Sequence, residues 1–214
     1  MLYPIGIQDF EKIRRDGYVY VDKTDLIYKM VQKGCYYFLS RPRRFGKSLL
    51  VSTMEAYFSG KKELFEGLAI SKLEKDWNQY PVLRFDFTGQ FYTTPDALED
   101  TLNTQLEALE KRFEINEPSG SAASRFRVLI DRAYESTGKP VVILIDEYDK
   151  PVVDNIAEES LSDIFRKQLQ GFYSVMKAKD GNIRFGFLTG VSKFGKLSVF
   201  SGLNNLNDIS MAVE

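Results

Sequence analysis

No histidine occurs among the 214 residues. That excludes Ser-His-Asp and Cys-His nucleophile systems, histidine proton shuttles, His-Glu-x-x-His zinc sites and the histidine-ligated facial iron triad. Cys35 is the one cysteine, so neither an intramolecular disulfide nor a multi-cysteine zinc site can form. It opens an aromatic-rich stretch and is expected to be buried. Charge of one sign is not in excess: 29 Lys and Arg stand against 30 acids, a net charge of -1. The chain therefore carries no global electrostatic footprint for nucleic acid or an anionic membrane, although a local patch stays open. Long hydrophobic runs are missing as well. The longest strongly apolar run, 141–145, is far short of the roughly 20 residues that span a bilayer. Asp9 and Glu11 interrupt the first residues, which lack the basic and then apolar pattern of a secretory signal. A cytoplasmic location is the expectation. The chemistry that remains uses carboxylates, hydroxyls, lysines, arginines, backbone amides and a hard metal ion.

What is present fits a folded chain of about one domain. Apolar residues make up 43% and charged residues 28%, too apolar for a disordered chain. Helical spacing of apolar residues marks 22–34, with Gly34 as the residue after its end, and 46–60, with Leu49, Leu50, Thr53, Met54, Tyr57 and Phe58 on one face. Thr94-Pro95 reads as a cap followed by proline at the first helical position. Residues 118–124 (PSGSAAS) read as a flexible loop. Further helical patterns surround Phe126 to Tyr134 and Leu161 to Met176. Strands are expected at 35–40, 82–87, 141–145 and 183–188, with a fifth at 206–210. Strands alternating with helices imply crossover units and a mainly parallel α/β sheet. Ligands of such sheets sit at the carboxyl ends of the strands, so the chemistry should follow Ser40, Ile145 and Leu188.

Three motifs stand at those ends. RPRRFGKS (41–48) is a phosphate-binding loop in which Arg41 replaces the first glycine. Main-chain N–H groups at a helix start, and the helix dipole, favour a phosphate there. Gly46 allows close approach, Lys47 reaches the β- and γ-phosphates, and the Ser48 hydroxyl ligates Mg²⁺. In isolation, Gly-Lys-Ser fits an unliganded helix start equally well. VVILIDE (141–147) is an apolar strand ending in two acids. Asp146 is assigned to Mg²⁺, usually through water, and Glu147 to polarising the attacking water as general base. Thr189-Gly-Val-Ser192-Lys193 follows the fourth strand; Thr189 or Ser192 is placed to sense the γ-phosphate, and an ordinary turn accounts for it as well. The nucleotide-contacting set is then Arg41, Arg43, Arg44, Phe45, Gly46, Lys47, Ser48 and Leu49. The arginines serve as counter-charges to a triphosphate; otherwise they form a solvated basic loop or, in the empty state, pair with Asp146, Glu147 and Asp149. Asp86, between Phe85 and Phe87, is expected on an edge strand facing away from those acids.

Taken together, PIGIQDFEKIRRDGYVYVDKTDLI (4–27), RPRRFGKSLL, PVLRFDF, VVILIDEYDKP and FLTGVSKFGKLSVFSGLNNLNDIS resemble the bacterial AAA-ATPase-like family, across nearly the whole chain. Members often carry a C-terminal PD-(D/E)xK nuclease-like domain. The resemblance implies a P-loop NTPase three-layer sandwich with sheet order 5-1-4-3-2, ATP in preference to GTP, and Mg²⁺. It makes Arg41 a trait of the family's own loop. It divides the chain into an N-terminal helical segment, 1–34, packed on a P-loop core, 35–214, with the lid and nuclease-like domain absent, so a fragment or truncated gene product is expected. Tyr20 to Thr24 either lines the adenine site or is an N-capped helix start.

The leading functional reading is an Mg²⁺-dependent ATPase that drives or switches an attached or partner domain. A non-hydrolysing nucleotide-binding scaffold and a small-molecule P-loop kinase are the alternatives. The second acid, Glu147, argues for hydrolysis. Partners implied are ATP, a nuclease-like domain or other protein, and a second copy of the chain; direct contact with nucleic acid is left open.

Overall fold

The apolar run at 141–145 forms β3 (Val141–Asp146), whose six residues are all buried. Such a strand must be covered on both faces, and it is. In the computed structural model, which describes residues 2–192 and 206–211, β3 lies inside a five-stranded sheet. In chain order the elements are α1 (Phe10–Arg15), α2 (Thr24–Lys33), β1 (Tyr36–Ser40), α3 (Lys47–Phe58), α4 (Ile70–Leu73), β2 (Val82–Asp86), α5 (Ala97–Arg112), α6 (Ala122–Thr137), β3, α7 (Lys150–Val153), α8 (Glu159–Ala178), β4 (Ile183–Gly190) and β5 (Asn207–Asp208). The sheet runs β2-β3-β4-β1-β5 with every pairing parallel. Read from the other edge this is 5-1-4-3-2, the expected order.

Strand alternation sorts the side chains into two cores. Leu83, Phe85, Ile143, Ile145 and Leu188 pack with α5, α6 and α8. Val82, Val142, Leu144, Phe185 and Phe187 point the other way, onto α2, α3 and α4, with Phe10 of α1 joining them. The result is a helix–sheet–helix sandwich. Aromatic rings serve as packing: Phe126 stacks on Phe172 at 4.4 Å, and Phe85 meets both edge-on. The segment before β1 belongs to the same core, since the Phe10 N–H donates to Ser52 Oγ of α3 at 2.9 Å.

Several sequence expectations are corrected in detail. Thr94 is not the cap of α5; the helix begins at Ala97 after a turn in which the Ala97 N–H bonds Thr94 O. The 118–124 loop is shorter than expected, because Ser121 caps α6 by accepting from the Ser124 N–H and the helix starts at Ala122. On α3 the buried side centres on Val51, Met54 and Phe58, whereas Leu49 and Leu50 are only half-buried. Gly34 follows α2 in an extended conformation (φ -167°), not a left-handed one. Its lack of a side chain serves packing: a Cβ would meet Tyr37 Oη at 2.9 Å, and that hydroxyl is needed by Met30 O. Cys35 precedes the strand and is exposed. β4 runs on through Gly190, so Thr189 lies within a strand. Lys193 and the rest of 193–205 lie outside the described residues.

Candidate functional site

The sheet order sets the carboxyl ends of β3, β4 and β1 side by side. The three sequence motifs therefore converge. Between β1 and α3 the chain turns through Arg44 (φ 69°) and Gly46 (φ 74°), both left-handed. Gly46 occupies the N-cap position of α3 and has no side chain to cap with. Leu50 donates the first helical bond, to Gly46 O at 2.9 Å. The N–H groups of Lys47, Ser48 and Leu49 come before it, at the positive end of the helix dipole, and are left for an anion. Lys47 is buried, and its ammonium donates back to Arg41 O at 3.0 Å and Pro42 O at 3.2 Å.

A cleft of about 450 Å³ opens over this loop. Arg43, Arg44, Gly46, Lys47, Ser48, Leu49 and Glu147 line it, and so do Gln8 and Thr88. Arg41 and Phe45 do not. The Arg41 N–H ties the loop to Gly190 O at 3.1 Å, and Phe45 projects outward, 66% exposed. The expected pairing of the arginines with Asp146, Glu147 and Asp149 is absent among the described residues. Arg43 instead lies 3.8 Å from Asp154.

Behind the cleft Asp146 is wholly buried at the end of β3. Thr189 of neighbouring β4 donates its hydroxyl proton to Asp146 Oδ1 at 2.5 Å, and the Glu147 N–H donates to the same hydroxyl at 3.2 Å. One threonine thus fixes both acids. Asp146 Oδ2 is buried with no hydrogen-bond partner. A buried carboxylate oxygen left alone is costly, and a cation or its water shell would relieve it. Among the described residues no group of three or more carboxylate or cysteine side chains could hold a metal ion. The donor set present is one carboxylate and the Ser48 hydroxyl, with room for phosphate oxygens and water. That suits Mg²⁺, which keeps much of its hydration.

Glu147 takes a left-handed φ of 51°, which a non-glycine residue adopts at a cost of about 1–2 kcal/mol. The turn aims its carboxylate at the cleft. Burial pushes that carboxyl above the ordinary glutamate range; Lys47 pulls it back, Asp146 adds to the rise, and Lys150 and Arg43 oppose it. Asp149 is buried two residues on. Burial raises its carboxyl too, against hydrogen bonds from the Ser192 hydroxyl at 2.8 Å, the Ser192 N–H at 2.7 Å and the Val191 N–H at 3.2 Å. Ser192 is thereby held to the β3 exit, and its carbonyl accepts from Tyr148.

Asp86 lies on the edge strand as expected, but it faces the same side as Asp146, its register partner. Phe85 and Ile145 both enter the α5–α6–α8 core, so the next residue of each strand points to the other face. The segment after Tyr20 anchors the start of α2 to that of α4: Asp22 accepts from the Thr24 N–H at 2.9 Å and the Ala69 N–H at 2.7 Å, and does not line the cleft. Gln8 and Thr88 escaped the sequence reading. Thr88 lies just past a strand end, where ligands gather, whereas nothing in the sequence around Gln8 marks it.

A family model described as "Predicted AAA-ATPase" matches residues 4–200. A protein of Azotobacter chroococcum mcd 1, described as an uncharacterized protein in the vnfD 5′ region, is 45% identical over 97% of this chain. The chain spans 40% of that relative's length. No solved structure matches.

Proposed function

The chain belongs to the predicted AAA-ATPase family, and from that premise we propose that it binds ATP with Mg²⁺ and hydrolyses it to switch an attached or partner domain. One observation carries the reading: a buried lysine, a glycine-opened helix start and Glu147 border one cleft, with Asp146 buried behind it and bonded to the same threonine hydroxyl that the Glu147 N–H meets. Lys47 and the N–H groups of 47–49 would hold the phosphates and balance the charge that grows on them. Ser48 and Asp146 would hold Mg²⁺, which when bound neutralises phosphate charge. Glu147 takes a proton from the attacking water as its oxygen bonds the γ-phosphorus and the bond to ADP breaks. Burial, which raises the basicity of Glu147, favours hydrolysis over a binding-only scaffold.

Lys47→Ala is expected to weaken ATP binding at least about tenfold, or 1.4 kcal/mol, by calorimetric titration. Equal affinity for variant and parent would remove the phosphate-loop assignment. Asp146→Asn keeps the shape that meets Thr189 but loses the charge. The ratio of ATP affinities with and without Mg²⁺ should fall toward one in this variant; a ratio equal to the parent's would place the metal elsewhere.

A further inference from the structure

Past the end of the sheet, the two strand exits that carry the acids and Thr189 stay joined. The ladder between β3 and β4 ends at Ile145 and Leu188. Beyond it, residues 147–149 and 189–192 are held together chiefly by side chains. Thr189 meets Asp146 and the Glu147 N–H, as described. Asp149 grips the same segment two residues further along. Its Oδ2 accepts from the Ser192 N–H at 2.7 Å and the Ser192 hydroxyl at 2.8 Å, and both its oxygens lie 3.2 Å from the Val191 nitrogen.

The grip is made by a group that burial penalises. Asp149 is 2% exposed, and among the described residues neither lysine nor arginine pairs with it. A buried carboxylate persists only where hydrogen bonds replace water, and here they come from Val191 and Ser192. A neutral serine or asparagine could close a turn at lower cost, but bonds to a charge are roughly twice as strong and hold the segment in one position. Gly190 lies between the two grips. A Cβ there would come within 2.5 Å of the Tyr148 ring and 2.6 Å of Asp149 Oδ1, so the exits touch with no room for a side chain. The Gly190 carbonyl also accepts from the Arg41 N–H at 3.1 Å, at the start of the Lys47 loop. Residues 189–192 therefore bear on the loop through Gly190 and on both acids through Thr189. A shift of Val191 and Ser192 would carry Thr189 with it.

Asp149 is not among the residues that line the cleft, so it touches no ligand there. We propose that Asp149 is a positioning residue: by holding Val191 and Ser192 it fixes Thr189, and through Thr189 it sets where Asp146 and Glu147 stand relative to the Lys47 loop. Its role rests on the cleft being an ATPase site. A clasp of purely structural use would change stability and leave the rate per folded molecule alone. A positioning clasp acts on the rate, because a displacement of about 1 Å at the reacting groups can cost about 10²-fold.

The test is single-turnover ATP hydrolysis, with ATP affinity measured alongside by calorimetric titration. Asp149→Asn keeps the shape and one acceptor oxygen, but turns an amino group toward N–H donors. Hydrolysis should slow by about 10²-fold, while ATP affinity stays near the parent's because Lys47 and the N–H groups of 47–49 belong to another strand exit. The path is read from a double-mutant cycle. Thr189→Val removes the hydroxyl that meets both acids, so adding Asp149→Asn to it should slow hydrolysis no further. Should Asp149→Asn not fold, Ser192→Ala removes one donor, keeps the N–H bond and takes its place in the same cycle, with a smaller loss. Parental hydrolysis in Asp149→Asn, a loss confined to ATP affinity, or effects that multiply with those of Thr189→Val would overturn the proposal. Glu147→Gln separates the two failures. If it hydrolysed ATP at the parent's rate, the ATPase assignment itself would fall; if it were inactive while Asp149→Asn stayed parental, only the role of Asp149 would.

Discussion

Replacing Glu147 with glutamine is expected to lower ATP turnover by about 10²–10⁴-fold while ATP affinity stays near the parent's. Glutamine keeps the size of the side chain and the main-chain N–H bond to Thr189, and removes only the site that accepts the water's proton. The effect should appear in single-turnover hydrolysis, where product release is not in the rate. A pH profile supplies an independent reading. Burial holds the Glu147 carboxyl above the ordinary glutamate range, so the parent's rate should fall on acidification earlier than for an exposed glutamate, and the variant should lose that limb. The stability sign follows. A carboxyl raised in the folded state binds its proton more readily there than when unfolded, so it lowers stability as pH rises through the window between the two values. Glu147→Gln is then neutral or stabilising at neutral pH. Parental turnover in the variant would end the general-base assignment.

The largest expected stability effect lies away from the site. Arg125 of α6 meets Glu110 of α5 through two bonds, Nε to Oε1 at 2.9 Å and Nη2 to Oε2 at 2.5 Å, and its Nη1 reaches Asn103 at 2.7 Å. Glu110 is almost wholly buried. Removing one partner strands the other charge, so Arg125→Ala should lose about 3–5 kcal/mol in urea unfolding. Replacing both, as in Glu110→Leu with Arg125→Met, should recover most of it, because a well-packed apolar pair of similar volume is often neutral. A single substitution costing under about 1 kcal/mol would show that water reaches Glu110 freely.

The all-parallel sheet was legible because its strands are short apolar runs between helical patterns, and 141–145 could only be a strand covered on both sides. The convergence of Lys47, Asp146 and Glu147 was legible because strand exits collect ligands. What escaped has local causes. Asp86 was placed on the wrong face because its aromatic neighbours were read without the register that pairs it with Asp146. Cys35 is exposed because the strand starts one residue later than its apolar pattern does. Thr189 was expected just after the fourth strand, as a γ-phosphate sensor or an ordinary turn residue; it lies within β4, and its hydroxyl meets Asp146 and the Glu147 N–H, contacts more than forty positions away that no local pattern announces. Gln8 reaches the cleft through the packing of α1 on α3, which is tertiary information.

The position of β1 has a consequence for how the molecule is made. Its neighbours in the sheet are β4 and β5, and the Ser40 N–H bonds the Ser210 hydroxyl across 170 positions. At about 5–20 residues per second, the strand leading to the Lys47 loop leaves the ribosome on the order of ten seconds or more before its partners exist. Folding dominated by such distant pairings is slow, and an unpaired apolar strand is open to association meanwhile. Tyr36, Tyr37 and Phe38 are then the segment most in need of a chaperone during synthesis, and the cleft over the Lys47 loop is among the last parts of the molecule to form.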